Sequence, residues 1–260
     1  MIKIANPHDI ERQVVFALVF EPIAEKKGCT SISHDLSPMI KVTDLISSGI
    51  NVGEQFYALA ERVNNSAGQP EVFYDLYLEA LKSSTRYRKS QKYINQGLLG
   101  VLFPLVVSRL TISGDGEVVC RNIVNILKKT SEADVHFREE TRRIAWSTST
   151  KDFRRNFPEQ IGGSNMYEYY TKKLERHRNA DKHSGSIFWV EQFLAGMPLL
   201  SEMYKLFREQ LLSKDFLTSV VFVYEYAINI INEPGIVADY VAGMIYLVLS
   251  DEGGEAIVRV

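Results

Sequence analysis

Apolar residues recur along most of the chain at intervals of three and four positions, the spacing that gathers them on one face of an α-helix. In the first such segment Ile10, Val14 and Leu18 share a face, Asp9 suits the N-cap, and Gly28 suits the end of the helix. The same spacing predicts helices at about residues 9–26, 40–63, 70–81, 98–110, 117–129, 132–146, 166–178, 186–210, 214–231 and 236–249.

This pattern predicts an all-α fold in which residues 1–260 form a single compact multi-helix domain. Strict alternation of apolar and polar residues, the mark of a strand, never extends beyond a few positions. The segment from Leu98 to Leu110 is almost entirely apolar and contains Pro104, which is typical of a buried helix with a kink. We expect residues 98–105 and 241–249 to share one core. Residues 147–165 lack periodicity and are predicted to be the longest loop.

The composition is ordinary for a globular protein and excludes few classes of protein. Of the 260 residues 45% are hydrophobic and 24% charged, and the formal net charge is -2, which gives no argument for a nucleic-acid or membrane partner. The apolar segments 216–231 and 237–250 fall short of the ~20 residues that span a bilayer. Cys29 and Cys120, in a chain without a secretory leader pattern, are predicted to be free thiols in a reducing compartment, and we expect a cytoplasmic protein.

Charge is uneven along the chain. Residues 82–182 carry 20 basic and 11 acidic side chains, a net of +9, whereas residues 191–260 carry 4 and 10, a net of -6. Solvated helix faces explain this asymmetry, and so does a basic wall facing a polyphosphate ligand. Short basic runs such as 86–89 have few interleaved aromatic residues, which argues against nucleic-acid binding.

Familiar local motifs for phosphate loops, dinucleotide folds and zinc sites do not occur in the sequence. His177, Asp181 and His183 are the residue types that bind transition metals, but neighbouring lysines and arginines repel a cation. A solvated polar turn is therefore the preferred interpretation of that segment.

Four stretches, in order along the chain, carry a resemblance to a known family. Residues 25–35, Glu-Lys-Lys-Gly-Cys-Thr-Ser-Ile-Ser-His-Asp, resemble a Pro-Lys-Pro-Gly-Asn-Val-x-Arg loop followed by His-Asp. Residues 93–97, Tyr-Ile-Asn-Gln-Gly, precede an apolar helix with Phe-Pro-Leu and resemble Asn-Thr-Asn-Leu-Gly before Ala-Pro-Leu. Residues 131–135 and 141–145 resemble Thr-Val-Glu-Asp-Ala and Ala-Ile-Arg-Leu-Ala and keep Asp134 and Arg143.

The fourth stretch is the most specific. Residues 233–239, Glu-Pro-Gly-Ile-Val-Ala-Asp, resemble Asn-Pro-Gly-Thr-Thr-Ala-Asp at the start of an apolar helix. Together the four stretches are similar to the triphosphoribosyl-dephospho-CoA synthase family, which makes 2'-(5''-triphosphoribosyl)-3'-dephospho-CoA from ATP and dephospho-CoA and releases adenine. The chain departs from the pattern where Ile236 and Val237 replace two threonines, and a basic Arg-Lys segment has no counterpart between residues 198 and 232.

The resemblance implies a transferase of cofactor biosynthesis that needs a base, a polyphosphate clamp with Mg²⁺ and a dry pocket. Its partners would be ATP and a nucleotide-like acceptor, no membrane is expected, and a homo-oligomer stays open. The candidate catalytic residues are Asp239, Asp35 and His34, and the candidate metal ligands are Asp134 and Asp239. The candidate substrate-binding residues are Lys26, Gly28, Asn95, Gly97, Arg142, Arg143, Pro234 and Gly235.

Each candidate also has a purely structural interpretation. Asp134 suits a capping box with Ser131, Asn95 suits an N-cap, and Asp239 is favoured near a helix N-terminus by the helix dipole. Two hypotheses therefore remain: an enzyme that transfers a triphosphoribosyl or related group, and a non-catalytic helical protein that binds a nucleotide or a protein partner. We expect His34, Asp35, Asn95, Asp134 and Asp239 to converge on one pocket.

Overall fold

Helical periodicity runs through most of the described residues, in some segments on one apolar face and in others along an almost wholly apolar run, and side chains cap the first turn of several helices. The computed structural model describes residues 5–34, 40–66, 70–86, 93–147, 160–179 and 184–252. Within these ranges the helices are α1 (Pro7–Ile23), α2 (Val42–Asn51), α3 (Gly53–Asn65), α4 (Tyr74–Ser83), α5 (Gln96–Thr111), α6 (Gly116–Lys128), α7 (Glu132–Ser147), α8 (Met166–Asn179), α9 (Ser184–Leu194), α10 (Pro198–Leu211), α11 (Phe216–Ile231) and α12 (Pro234–Glu252).

The all-α prediction is confirmed. The described residues form one helical domain, and their only β-type pairing is an isolated bridge between Ser31 and His34. α5 and α12 lie at the centre, with α1, α10 and α11 also against α12, and α3, α4 and α6 against α5. Residues 98–105 and 241–249 belong to one hydrophobic core, as predicted. α5 continues through Pro104, which is fully packed inside it.

Two predicted helices are each divided in two. The segment predicted as one helix over 40–63 breaks at Val52, so that both halves pack on α1. Close approach makes this possible, because a Cβ at Gly49 would lie 2.8 Å from Leu18 Cβ and one at Gly53 would lie 3.0 Å from Val15 Cγ2.

The segment predicted as one helix over 186–210 breaks at Gly196 and Met197. Both residues are left-handed, with φ of 80° and 55°, and Pro198 then starts α10. Met197 is fully buried, so packing holds this unusual backbone in place.

α12 has the length and composition of a membrane span over residues 234–251, and α5 with α6 qualifies only as a pair bent by 105°. In the fold 61% of the α12 window is buried against other helices. Cys29 and Cys120 are both buried free thiols. The predicted loop over 147–165 lies mostly outside the described residues.

Candidate functional site

Residues far apart in the sequence surround one pocket of about 390 Å³ between the ends of four helices. The end of α1 and the loop after it form one wall, α2 and the segment before α5 form another, and the first turns of α5 and α12 close it. We call this the Asp239 pocket. Its lining residues are Glu21, Gly28, Cys29, Thr30, Ile40, Leu45, Tyr93, Ile94, Asn95, Leu98, Gly235, Ala238 and Asp239.

The structure thus brings together Gly28, Asn95, Gly235 and Asp239, four residues that the sequence resemblance singles out. Gly97 lies beside the same pocket, where the absence of a side chain leaves space for Asp239. A Cβ at Gly97 would lie 1.9 Å from Asp239 Oδ2 and 2.6 Å from Asp239 Cγ. Only glycine at position 97 allows the Asp239 side chain its observed position, so two of the resembling stretches are coupled by direct contact.

The Asp239 carboxylate lies at the N-terminus of α5, where backbone N–H groups have no acceptor within the helix. It accepts a hydrogen bond from the Leu98 N–H. Burial raises the pKa of Asp239 well above its usual value, the nearby Glu21 raises it further, and only the Leu98 N–H lowers it. A carboxylate with a raised pKa is a stronger base, which is the property that proton removal from a substrate requires.

Asn95 lines the same pocket and has one buried side-chain acceptor without a partner among the described residues. Its Nδ2 donates to Ser48 Oγ at 2.9 Å, and the residue is 1% exposed. Within the described ranges its Oδ1 has no hydrogen-bond partner. Because a buried polar atom without a partner is costly, a hydrogen-bond donor or a cation that reached Asn95 Oδ1 would stabilise it.

Glu21 lines the pocket although the sequence analysis did not select it. It is 4% exposed, and burial raises its pKa while the neighbouring Lys26 lowers it. The signal that could have found it is periodicity, because Glu21 continues the buried face formed by Ile10, Val14 and Ala17. A carboxylate on the buried face of a helix indicates a specific role.

Lys26 does not face the pocket as a phosphate ligand would. Its ammonium is fully buried and forms an ion pair with Glu21 Oε1 at 3.1 Å. It also donates to the carbonyl oxygens of Glu21 and, at 3.1 Å, of Ala24. These three acceptors use all three N–H donors of the lysine, which therefore closes the C-terminus of α1.

The two candidate arginines of α7 are likewise engaged within the fold. Arg142 donates to Glu139 Oε2 from Nη2 at 2.7 Å, and Arg143 donates to Glu140 Oε2 from Nε at 2.8 Å. Neither lines the Asp239 pocket. The described lining of that pocket includes two carboxylates and no lysine or arginine, so it repels a bare polyphosphate.

His34 and Asp35 are not shown beside Asp239. His34 is exposed and lines a separate cavity of about 260 Å³ together with residues of the start of α2. Its backbone pairs with Ser31, with the Ser31 N–H donating to the His34 carbonyl at 2.8 Å. Asp35 lies outside the described residues, as do Asp181 and His183.

Asp134 is a structural acid. Its side chain is completely buried, and Oδ1 accepts hydrogen bonds from the N–H groups of Phe73 at 2.9 Å and Tyr74 at 2.8 Å. Oδ2 accepts from the Ser131 N–H at 3.0 Å. These bonds explain why α4 begins at Tyr74 and not near residue 70, and they leave little capacity for the predicted metal ion.

Gly28 and Pro234 join the loop after α1 to the start of α12. Gly28 has φ of 83°, and a Cβ there would lie 3.0 Å from Pro234 Cγ. The anion site expected at the N-terminus of α12 is reduced, because Pro234 lacks an N–H and the N–H of Ile236 already bonds the Glu233 carbonyl at 3.0 Å. Gly235 remains open, with no atom within 4 Å of a Cβ placed on it.

No group of three or more His, Cys, Asp or Glu side chains suited to a metal ion occurs in the residues that the structure describes. Mg²⁺ nevertheless binds many proteins through one or two oxygen ligands while substrate phosphates supply others. Asp239 and the unpaired Asn95 Oδ1 fit that limited role. They do not form a protein cage that could hold the ion by itself.

Comparison with known proteins assigns the chain to no family. No protein-family model matches the chain, and neither the curated proteins nor the solved structures provide a match. The resemblance to the triphosphoribosyl-dephospho-CoA synthase family therefore stays a prediction from the residues quoted above.

Proposed function

We propose that the Asp239 pocket is the substrate site of a transferase that moves a triphosphoribosyl or related group from ATP to dephospho-CoA or another nucleotide-like acceptor. One observation carries this proposal. Gly28, Asn95, Gly235 and Asp239, taken from three separate stretches of the resemblance, line a single pocket, and Gly97 makes room for Asp239 there. Such convergence supports a shared site more than a set of unrelated helix caps.

In this proposal Asp239 is the general base. Its carboxylate takes the proton of the acceptor hydroxyl, whose oxygen forms a bond to the anomeric carbon of the ATP ribose. The bond between that carbon and adenine breaks, and adenine leaves with the electron pair and takes up a proton. The Leu98 N–H holds the carboxylate in place, and burial makes it more basic. The apolar part of the lining, including Ile40, Leu45 and Leu98, would reduce the water around the cation-like transition state.

Mg²⁺ bound with ATP would neutralise phosphate charge, and in the alternative role for Asp239 its carboxylate would hold this Mg²⁺ together with Asn95 Oδ1 and would not act as the base. The volume of about 390 Å³ suits one nucleotide-sized ligand and is at the low end of the range for ligand pockets, ~300–1,000 Å³. We place the protein in a reducing compartment such as the cytoplasm, in keeping with its two buried free thiols.

A second function is favoured by a different observation. Lys26, Arg142 and Arg143 are engaged in ion pairs within the fold, so the described pocket lacks the cations that a polyphosphate clamp needs. A helical protein that binds a nucleotide without transferring its ribosyl group agrees with this arrangement. Binding without adenine release would support that alternative.

The decisive experiment measures adenine release with ATP, Mg²⁺ and dephospho-CoA, alongside calorimetric titration of Mg²⁺-ATP. We expect the parent to bind Mg²⁺-ATP and release adenine, and Asp239→Asn to lose at least tenfold in rate, a conservative bound for a general base worth ~10²–10⁴. Asp9→Asn is the matched control, because Asp9 is an exposed acid in the first turn of α1. Absence of Mg²⁺-ATP binding by the parent, or unchanged binding and release in Asp239→Asn, refutes the assignment.

A further inference from the structure

A buried arginine on α7 lies among four tyrosines. Arg138 is 5% exposed, and Tyr74 and Tyr77 of α4 and Tyr169 and Tyr170 of α8 are completely buried around it. Its Nη1 donates to Tyr77 Oη at 3.1 Å, and its guanidinium carbon lies 5.1 Å from the centre of the Tyr77 ring. We call these five residues the Arg138 cluster.

Among the residues described, no carboxylate lies within ion-pair distance of Arg138, although Asp134 lies one helical turn earlier and acts electrostatically on the same Tyr74 hydroxyl. An arginine side chain stays protonated in proteins, and no carboxylate forms an ion pair with this one within the described ranges. The adjacent Glu139 pairs with Arg142, and Asp134 is occupied by backbone N–H groups. An uncompensated buried charge is expensive, so the cluster calls for an anion.

The tyrosines do not supply that anion. Burial raises the pKa of Tyr77 to about 12 and raises the pKa values of Tyr74 and Tyr169 as well. These three hydroxyls are therefore neutral at physiological pH and act on Arg138 only through their dipoles and rings.

Four polar atoms of the cluster lack a hydrogen-bond partner of normal geometry among the described residues, although the Tyr74 and Tyr170 hydroxyls lie close enough to interact with each other. The four atoms are Arg138 Nε and the hydroxyl oxygens of Tyr74, Tyr169 and Tyr170. Each belongs to a group that can donate a hydrogen bond, and buried donors without acceptors are rare in native proteins. Water could accept these hydrogen bonds, but only an anion satisfies the donors and balances the arginine at the same time.

We propose that Arg138 and the hydroxyl groups of Tyr74, Tyr169 and Tyr170 form an internal binding site for one phosphate-type oxyanion. A guanidinium and several hydroxyl donors match the tetrahedral oxygens of such a group. Tyr77 completes the Arg138 side of the site by holding one guanidinium nitrogen.

The Arg138 cluster adjoins the Asp239 pocket through α5. The Tyr77 hydroxyl donates to the Gln96 carbonyl at 3.1 Å, and the next two residues of α5, Gly97 and Leu98, contact Asp239. If the proposed function holds, the anion is a phosphate group of the bound nucleotide, and Arg138 supplies the positive charge that the pocket lining lacks. The identity of the anion rests on that function, whereas the anion site itself does not.

The test is titration with inorganic phosphate at constant ionic strength, followed by isothermal calorimetry and thermal unfolding. We expect saturable binding by the parent, loss of saturable binding in Arg138→Met, and unchanged binding in Arg143→Met, an exposed arginine on the same helix. Tyr169→Phe removes one hydroxyl only and should weaken phosphate binding by about tenfold. That variant keeps the test valid if Arg138→Met does not fold.

Two outcomes overturn the site: a parent that shows no saturable phosphate binding, or an Arg138→Met and a Tyr169→Phe variant that both bind phosphate as the parent does. A competition arm separates the two sources of the anion. Displacement of phosphate by ATP supports a nucleotide phosphate, and independent binding of the two overturns the link to the Asp239 pocket. A chain that binds phosphate but releases no adenine contradicts the transferase proposal alone.

Discussion

Asp134 and Asp239 are the same residue type, both lie near helix N-termini, and the sequence nominates both as metal ligands, yet the fold uses them differently. Asp134 is completely buried and accepts hydrogen bonds on both oxygens from two helix starts, those of α4 and α7. Asp239 is half-buried, receives one backbone hydrogen bond from Leu98, and faces a pocket.

Burial raises the pKa of both carboxyl groups, so a raised pKa does not distinguish them. The difference lies in how many acceptor positions remain. A carboxylate offers about four lone-pair sites, and Asp134 has four donors directed at it: the N–H groups of Phe73, Tyr74 and Ser131, and the Ser131 hydroxyl. Asp239 keeps most of its capacity for a ligand. The comparison teaches that free acceptor capacity, more than residue type or pKa, separates a structural acid from a functional one.

The largest effect should come from removing Asp134. Asp134→Ala leaves three buried backbone N–H groups without acceptors at two helix starts, and we expect a loss of about 3–5 kcal/mol in the free energy of unfolding. Urea denaturation followed by circular dichroism measures it. Glu132→Ala is the control, since Glu132 is an exposed acid in the same first turn. A loss below about 1 kcal/mol for Asp134→Ala would contradict the structural role assigned to Asp134.

Gly97→Ala should come next, because the new methyl group would overlap Asp239. We expect a loss of about 1–3 kcal/mol in the parent background. In the Asp239→Ala background the overlap is gone, and the same substitution should be neutral or stabilising by up to about 1 kcal/mol, the helix-propensity difference between glycine and alanine.

Gly235→Ala provides the matched glycine control for that cycle, since nothing lies within 4 Å of a Cβ at position 235. Urea unfolding of the two single variants, the double variant and the control completes the measurement. Additive effects of Gly97→Ala and Asp239→Ala would show that the two residues do not restrain each other.

Ser131→Ala tests the capping box with a smaller change. The Ser131 hydroxyl donates to Asp134 Oδ2 at 3.3 Å, and the substitution keeps the backbone donor. We expect a loss of about 1 kcal/mol in unfolding free energy, the usual value for a removed N-cap hydroxyl. An unchanged urea midpoint would mean that Asp134 holds α7 without help from the serine.

At mildly acid pH Asp239→Asn should have the smallest effect on stability, and the difference from the parent should grow as pH rises. Because the folded-state pKa of Asp239 is raised above 3.8, its contribution to stability is fully present below that pH and is lost as pH rises through the folded pKa. The asparagine variant lacks this loss. We expect it within about 1 kcal/mol of the parent near pH 4.5 and gaining on the parent as pH rises to 8. Urea unfolding at several pH values measures the free energy of unfolding of both proteins. If the difference between parent and variant does not change from pH 4.5 to 8, the raised pKa of Asp239 is contradicted.

The helical fold follows from local signals because those signals act over a few residues. The capping box of Ser131 and Asp134 forms as predicted, and the apolar run of α5 is buried as predicted. The break at Gly196 and Pro198 carried a signal, a glycine followed two residues later by a proline. The sequence carries almost no signal for the break at Val52. The backbone there keeps φ of -99° and ψ of -2°, close to helical values, so the break requires neither glycine nor proline.

The site was accessible from sequence only in part. The resemblance selected Gly28, Asn95, Gly235 and Asp239, which the structure places in one pocket, but among the described residues only Asn95 and Asp239 of the five predicted to converge line it. The sequence could not show that the Lys26 ammonium is already bonded to Glu21 and two carbonyl groups. Periodicity could not reveal the Arg138 cluster either. An arginine between acidic residues on an amphipathic helix has the pattern of a solvated face, and its burial depends on α4 and α8 packing around it.

The two cysteines can be used as probes of opening motions in the native protein. Burial raises the pKa of both thiols, so neither reacts until its surroundings open. Cys29 lies in the wall of the Asp239 pocket with its sulfur 3.4 Å from the Tyr224 hydroxyl, whereas Cys120 is fully buried on α6. Thiol-exchange rates at Cys29 therefore report local opening of the pocket, and rates at Cys120 report a deeper unfolding of the helical core. A ligand in the pocket should slow the exchange of Cys29 more than that of Cys120.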